Sequence, residues 1–143
     1  MNKFDELYES IGVSTYQEVL EVAQAVVGSN PDQVTDDFRY FDNGSPKSLL
    51  GHILPRVGVS KESMLFHLGK GFNTKKARCL TACPSFSESL AWGAQFFLVH
   101  LQDAEDRGKT WQESLDHATN IVAKNWDKID EMEAQRAEMW GVK

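Results

Sequence analysis

One stretch constrains this chain more than any other. Ser85–Arg107 holds the most apolar run in the sequence, Phe96-Phe97-Leu98-Val99, closed by His100-Leu101. Phe86, Leu90, Ala94, Phe97, Leu101 and Ala104 fall on one stripe at helical spacing, and Trp92, Phe96 and Val99 on a second. Only Glu88, Gln95 and Gln102 recur every seven residues as a polar strip, the pattern of a helix covered over most of its circumference with one wet edge. This stretch predicts the central helix of a bundle, with Phe97, Leu101 and Trp92 buried. Gln95, His100 and Gln102 interrupt it too often for a membrane span of about 20 apolar residues, so no membrane is expected.

A central helix needs neighbours, and the rest of the chain supplies them. Asn2–Ile11 reads as a short helix with Phe4, Leu7, Tyr8 and Ile11 inward, ending at Gly12. Ser14 with Gln17 has capping-box spacing and opens a second helix burying Tyr16, Val19, Leu20, Ala23, Val26 and Val27 as far as Gly28. Asn30-Pro31 predicts a third helix, Pro31–Tyr40, burying Val34 and Phe38. Asp42-Asn43-Gly44 is a turn, and Ser45-Pro46 opens a fourth helix carrying Leu49, Leu50, Ile53 and Leu54 until Pro55 stops it. A fifth starts at Ser60 with Met64, Leu65 and Leu68, and a sixth covers Asn73–Cys83 before Pro84.

Beyond Arg107-Gly108, Thr110 and Glu113 form another capping box, and no glycine or proline follows before Trp140. The pattern predicts one long C-terminal helix over about 110–140, with Leu115, Ala118, Val122, Asn125, Ile129, Met132, Arg136 and Met139 along one seam. Such a helix would run about 45 Å, whereas a globule of 143 residues has a radius of gyration of about 14–15 Å. The far end must bend, project or meet a second subunit. Steps of three and four are coiled-coil spacing, so Ile129, Met132, Met139 and Trp140 are the expected self-association residues of a homodimer. The fold class is therefore all-α: a single domain over 1–143, a helical bundle of six to eight helices with a buried central helix and a long C-terminal one.

Charge is segregated along the chain. The net charge of −6 divides into −7 over residues 1–44, +6 over the basic segment 45–78 and −5 over 79–143. Lys61, Lys70, Lys75, Lys76 and Arg78 make that segment the expected contact for an acidic macromolecule, or for the acidic parts of the chain's own fold. Leu49–Leu68 has the outline of a helix-turn-helix, with Gly58-Val59-Ser60 as its turn. A nucleic-acid-binding regulator using residues 48–78 is accordingly the alternative reading. Pro55 lies where the first helix of that motif should continue, which weighs against it.

Other chemistry has thinner support. Met1–Glu6 lacks the apolar run of a signal peptide, so a cytoplasmic location with Cys79 and Cys83 as reduced thiols is expected. Those cysteines sit one helical turn apart without a second close pair, and read as small buried residues; no metal is expected. His100 reads as a core histidine held by Asp103, and His117 as a surface residue. Glu18 with Glu21 and Asp103 with Asp106 have the spacing of the paired acids of helical nucleotide pyrophosphohydrolases, but the second pair begins with aspartate, and such pairs are common on wet helix faces. Gly69-Lys70-Gly71 lacks the rest of a phosphate loop.

From Tyr40 onward the chain resembles a group of small bacterial and phage proteins. The resemblance rests on Tyr40, Gly44-Ser45-Pro46, Leu49-Leu50-Gly51-His52-Ile53-Leu54, Gly58-Val59, and then Gln102, Asp106, Gly108 and Trp111. Ser48 stands where that group is expected to carry cysteine, which argues against a thiol or metal ligand there. The resemblance implies an accessory protein of the phage-encoded kind and carries over no reaction and no cofactor. Residues and resemblance together predict a non-enzymatic regulatory or inhibitory protein that binds a protein partner in its host cell.

Overall fold

The computed structural model describes residues 8, 10–35, 41–42, 45–60, 62 and 84–139. Among them the chain is an all-α bundle of six helices. These are α1 (Tyr16–Ser29), α2 (Leu49–Ile53), α3 (Pro84–Ser89), α4 (Trp92–Asp106), α5 (Trp111–Lys124) and α6 (Trp126–Met139). A 3-10 turn, Leu54–Val57, extends α2, and Phe41–Asp42 pairs antiparallel with Ser45–Pro46 as two two-residue strands. The expected helix Asn73–Cys83, most of the expected helices Asn2–Ile11 and Ser60–Leu68, and Lys61, Lys70, Lys75, Lys76, Arg78, Cys79, Cys83 and Trp140 lie outside the described residues.

α4 is the centre. Ala94, Phe97, Leu98 and Leu101 are fully buried, and α4 lies against α1, α2, α5 and α6. Gly93 lets α1 and α6 come close to α4, because a Cβ there would stand 3.3 Å from Ile129 Cγ2 and 3.4 Å from Tyr16 Cβ. At the other end Gly108 adopts φ 84° and its N–H returns to the Glu105 carbonyl at 3.0 Å, the left-handed closure that glycine makes without strain. The chain then reverses into α5, which runs back along α4. Thr110 caps α5 in the expected capping box with Glu113.

Two breaks depart from the expected helices. Ser85–Arg107 is not one helix but α3 and α4, separated at Leu90-Ala91. Ser14 pairs with Leu90 as an isolated bridge, receiving the Ala91 N–H at 2.9 Å and donating its own to the Ser89 carbonyl at 2.8 Å. Ser14 is therefore occupied by this bridge, and the α1 cap moves one residue on, to Thr15 with Glu18. The long C-terminal helix is likewise two helices. Asn125 ends α5, its Nδ2 donating to the Ile121 carbonyl at 2.8 Å, and α6 starts anew at Trp126 and passes the start of α4 with Ile129, Glu133 and Ala137 buried. The length conflict is thus resolved by a bend.

Other corrections follow from the same tertiary pairing. Residues 31–35 are a turn and a bridge, Val34 to Thr110, instead of helix; Val34 is 42% exposed, and the Gln33 carbonyl accepts the Trp111 N–H at 2.8 Å. Ser45-Pro46 is strand, and Ser48 is the cap of α2, its Oγ accepting the Gly51 N–H at 3.0 Å. Ile11 is 50% exposed. Trp92 is half-buried where full burial was expected, whereas the polar strip of α4 is not wet: Gln95 and Gln102 are buried.

Candidate functional site

Two features stand out, one at each end of α4. At its start, α3, α4 and α6 leave an open apolar groove. A cleft of about 410 Å³ is lined by Trp92, Met132 and Met139 with polar Ser87, Glu88, Gln95, Gln135 and Arg136 at its sides, and a smaller cavity of about 230 Å³ beside it adds Phe96 and Ile129 with Asn125 and Lys128. Trp92 and Met132 line both, so the two form a continuous trough. Met139, at its end, is 85% exposed. The floor is fastened by Arg136, which donates to the Leu90 carbonyl at 2.6 Å and to the Ser87 carbonyl, while Gln95 Nε2 donates to the Leu90 carbonyl at 2.9 Å. These bonds satisfy carbonyls that the break at Leu90-Ala91 frees from a helical ladder. Burial pushes the Arg136 guanidinium below its ordinary range, with Tyr8 and Glu133 opposing that shift.

Of the residues expected to mediate self-association, Met132 and Met139 reach this groove. Ile129 is 1% exposed and packs on its own domain, so it contributes to the trough only from below.

At the far end of α4, residues 102, 105 and 106 share one helix face, since steps of three and four bring side chains together. Glu105 is 2% exposed. Its Oε2 accepts the Leu49 N–H at 2.7 Å, at the start of α2, and the Thr35 hydroxyl proton. Thr35 in turn accepts from Trp111 Nε1 at 3.0 Å, and the His52 ring lies 5.6 Å from the Trp111 ring, edge to face. Gln102 Nε2 donates to Asp106 Oδ1 at 2.6 Å. Burial pushes the Glu105 carboxyl up to about 7, with the neighbouring Asp106 adding to the shift and the bonds from Thr35 and the Leu49 and Leu50 N–H groups opposing it. Asp106 is pushed up to about 6, again mainly by burial, with Gln102 opposing and Asp103 adding.

The remaining candidates do not assemble as expected. His100 is not held by Asp103, which pairs with Arg107 at 2.7 Å; the ring lies against Phe96 at 4.6 Å and faces His117 at 6.5 Å. Burial, then His117, lowers its pKa. Glu18 serves the α1 cap and Glu21 accepts from Gln17 Nε2, so the two acid pairs do not act as one site. Among the described residues no group of three or more His, Cys, Asp or Glu side chains is arranged to hold a metal. No described helix is long and apolar enough to cross a membrane.

Glu105 is the site residue that sequence reasoning missed. It lies among Asp103, Asp106 and Arg107, which reads as a solvated helix end, and only its phase with Leu98 and Leu101 places it inward. No family model, curated protein or solved structure matches the chain.

Proposed function

We propose that the protein is a non-enzymatic regulatory binding protein that takes the apolar face of a helix from a protein partner into the groove between α3, α4 and α6. What supports the reading is the concentration of Trp92, Phe96, Met132 and Met139 along one open trough. Aromatic residues and methionine are the types enriched where proteins dock, and unbranched methionine adapts to a partner's shape. Spacing along α6 supports a helical occupant: Met132, Arg136 and Met139 follow at intervals of four and three, the complement of an i, i+3, i+7 set of anchors. Exposed Glu131, Gln135 and Glu138 form the adjoining row, so the partner helix should carry cations beside its apolar stripe.

The test compares proteins retained from host lysate by the full chain and by Met132→Glu, with melting temperature as the control for folding. A partner retained by the wild type and lost at least about 10-fold by the variant supports the groove, since a charge placed in an apolar pocket costs more than about 1.4 kcal/mol. Equal retention removes the groove from consideration. Retention that fails instead on changing Lys70, Lys75, Lys76 and Arg78 to alanine, with steep salt dependence and nucleic acid in the eluate, establishes the alternative reading. A full chain that is dimeric at about 100 μM and monomeric as Met132→Glu identifies a second copy as the occupant.

A further inference from the structure

The smaller hollow between α4 and α6 is a cavity with a composition of its own. It holds about 230 Å³ and is lined by Trp92 and Phe96 of α4, Lys128, Ile129 and Met132 of α6, and Asn125 at the bend before α6. The cavity follows from how the two helices cross. They run antiparallel, since Arg136 reaches the Leu90 carbonyl while Ile129 stands over Gly93. Gly93 lets them touch, and one turn further along α4 the large ring of Phe96 faces the first turn of α6. The walls are held in place from outside the cavity: Trp126 packs on Tyr16 with ring centroids 5.7 Å apart, His100 meets the Phe96 ring at 4.6 Å, and Asn125 bonds the Ile121 carbonyl at 2.8 Å. A pocket whose walls are pinned by other contacts is ready for a ligand without first being rearranged.

We propose that this cavity binds a small aromatic carboxylate of two fused rings, with the rings among Trp92, Phe96, Ile129 and Met132 and the carboxylate at Lys128. Volume limits the ligand first. An apolar cavity of about 150 Å³ takes a single benzene ring, so this one has room for a second ring and little more. The lining then selects flat rings over branched chains, because Trp92 and Phe96 offer aromatic faces and edges, and the Met132 thioether packs well against a ring edge. Charge selects the polar end. Lys128 is exposed, and it is the one charged side chain among the described residues that line the cavity, with the Asn125 amide one turn before it. A cation and an amide at the rim of an apolar hollow orient a ligand that has one anionic end. The proposal concerns this cavity alone and does not depend on a helix docking in the wider cleft toward Met139.

The experiment titrates the isotope-labelled full chain at pH 7 with 2-naphthoate and follows the Ile129 and Met132 methyl groups and the Trp92 indole N–H by NMR. Ring currents of a seated ligand should shift all three, saturating with a dissociation constant of about 10⁻⁴–10⁻³ M, the range open to so small a ligand. The neutral analogue 2-naphthalenemethanol should bind about 3–10-fold more weakly, since it lacks the charge-assisted bond to Lys128. Lys128→Met, at an exposed position, should weaken naphthoate by that same factor and leave the alcohol unchanged. Met132→Glu, with its melting temperature as the control for folding, should lose both ligands. Absence of saturable shifts at the three groups, or shifts that Met132→Glu retains, would overturn the cavity as a binding site. Equal affinity for acid and alcohol, or an unchanged naphthoate affinity in Lys128→Met, would overturn the carboxylate. Neither failure bears on the partner helix, whose test is retention from lysate without any small ligand.

Discussion

The two ends of α4 use the same device with opposite surroundings. At the start, Ala91 offers no capping side chain, and Glu133 of α6 accepts the Gly93 N–H at 3.1 Å. At the end, Glu105 of α4 accepts the Leu49 N–H and so serves the start of α2. Both glutamates are 2% exposed, and both give a carboxylate to a helix N-terminus, where an anion is favoured. Glu133, however, lies one turn from Arg136 and feels its charge, whereas Glu105 lies beside Asp106. The first end is neutralised from within and does structural work beneath the groove. The second holds two acids together and so favours taking up a proton.

The middle of α4 sets the scale for both ends. Phe97→Ala should cost about 3–5 kcal/mol of a total of about 5–15 kcal/mol, because Phe97 is fully buried and stacks edge to face on Tyr16 with ring centroids 5.5 Å apart. Chemical denaturation measures this, and a loss below about 1 kcal/mol would remove α4 from the centre of the fold.

The next largest effect separates the ends by pH. Glu105 is an acid whose folded pKa is raised, from 4.5 to about 7, so the folded state binds the proton more tightly than the unfolded chain. Its contribution is fully present below pH 4.5 and is lost as pH rises through 7. Wild-type stability should therefore fall across that window by at most about 3 kcal/mol. Glu105→Gln cannot ionise, should be flatter over the window, and should be the more stable protein at pH 8. Parallel curves for the two proteins would show that another group carries the dependence. Glu133→Ala tests the opposite end: it orphans the Gly93 N–H, should cost about 2 kcal/mol in chemical denaturation, and should weaken the groove floor. A cost below about 0.5 kcal/mol would show that the start of α4 does not depend on this carboxylate.

These contrasts also explain which parts of the molecule the sequence made legible. The caps that depend on neighbours along the chain were readable: Thr110 with Glu113 is in place, and the α1 cap is displaced by one residue. What overrode local pattern was pairing between distant segments. Nothing near Leu90 stops a helix, and the break comes from Ser14, whose backbone takes the Ala91 N–H. Residues 31–35 have helical start signals, but their carbonyls are needed by the first N–H groups of α5. Gln95 and Gln102 read as a wet edge because glutamine is usually exposed, yet each is buried with its side-chain amide donating a hydrogen bond. The Asn125 bend was the nearest to legible, since a polar residue in an apolar seam already marked a weak point. The corner was visible only in pieces, as Gln102, Asp106 and Trp111 without Glu105, because the acid joining them to α2 is recognisable only once Leu49 and Thr35 are beside it.

The smallest expected effect asks whether the two acids of the corner act as a pair. Asp106 adds to the upward shift of Glu105, so removing its charge should lower the Glu105 pKa. The midpoint of the Glu105 titration in Asp106→Asn, read from its side-chain carboxyl resonance by carbon NMR, should move toward lower pH while remaining above the ordinary glutamate range, since burial persists. Asp103 acts on Asp106 but is not among the causes of the Glu105 shift, and its carboxylate already pairs with Arg107. Asp103→Asn should therefore leave the Glu105 midpoint nearly in place. If both variants move it equally, the corner responds to the general charge of the α4 end and not to a specific neighbour. If only Asp106→Asn does, the two carboxyls are one coupled unit, and the contrast with the Glu133 end rests on that single adjacent charge.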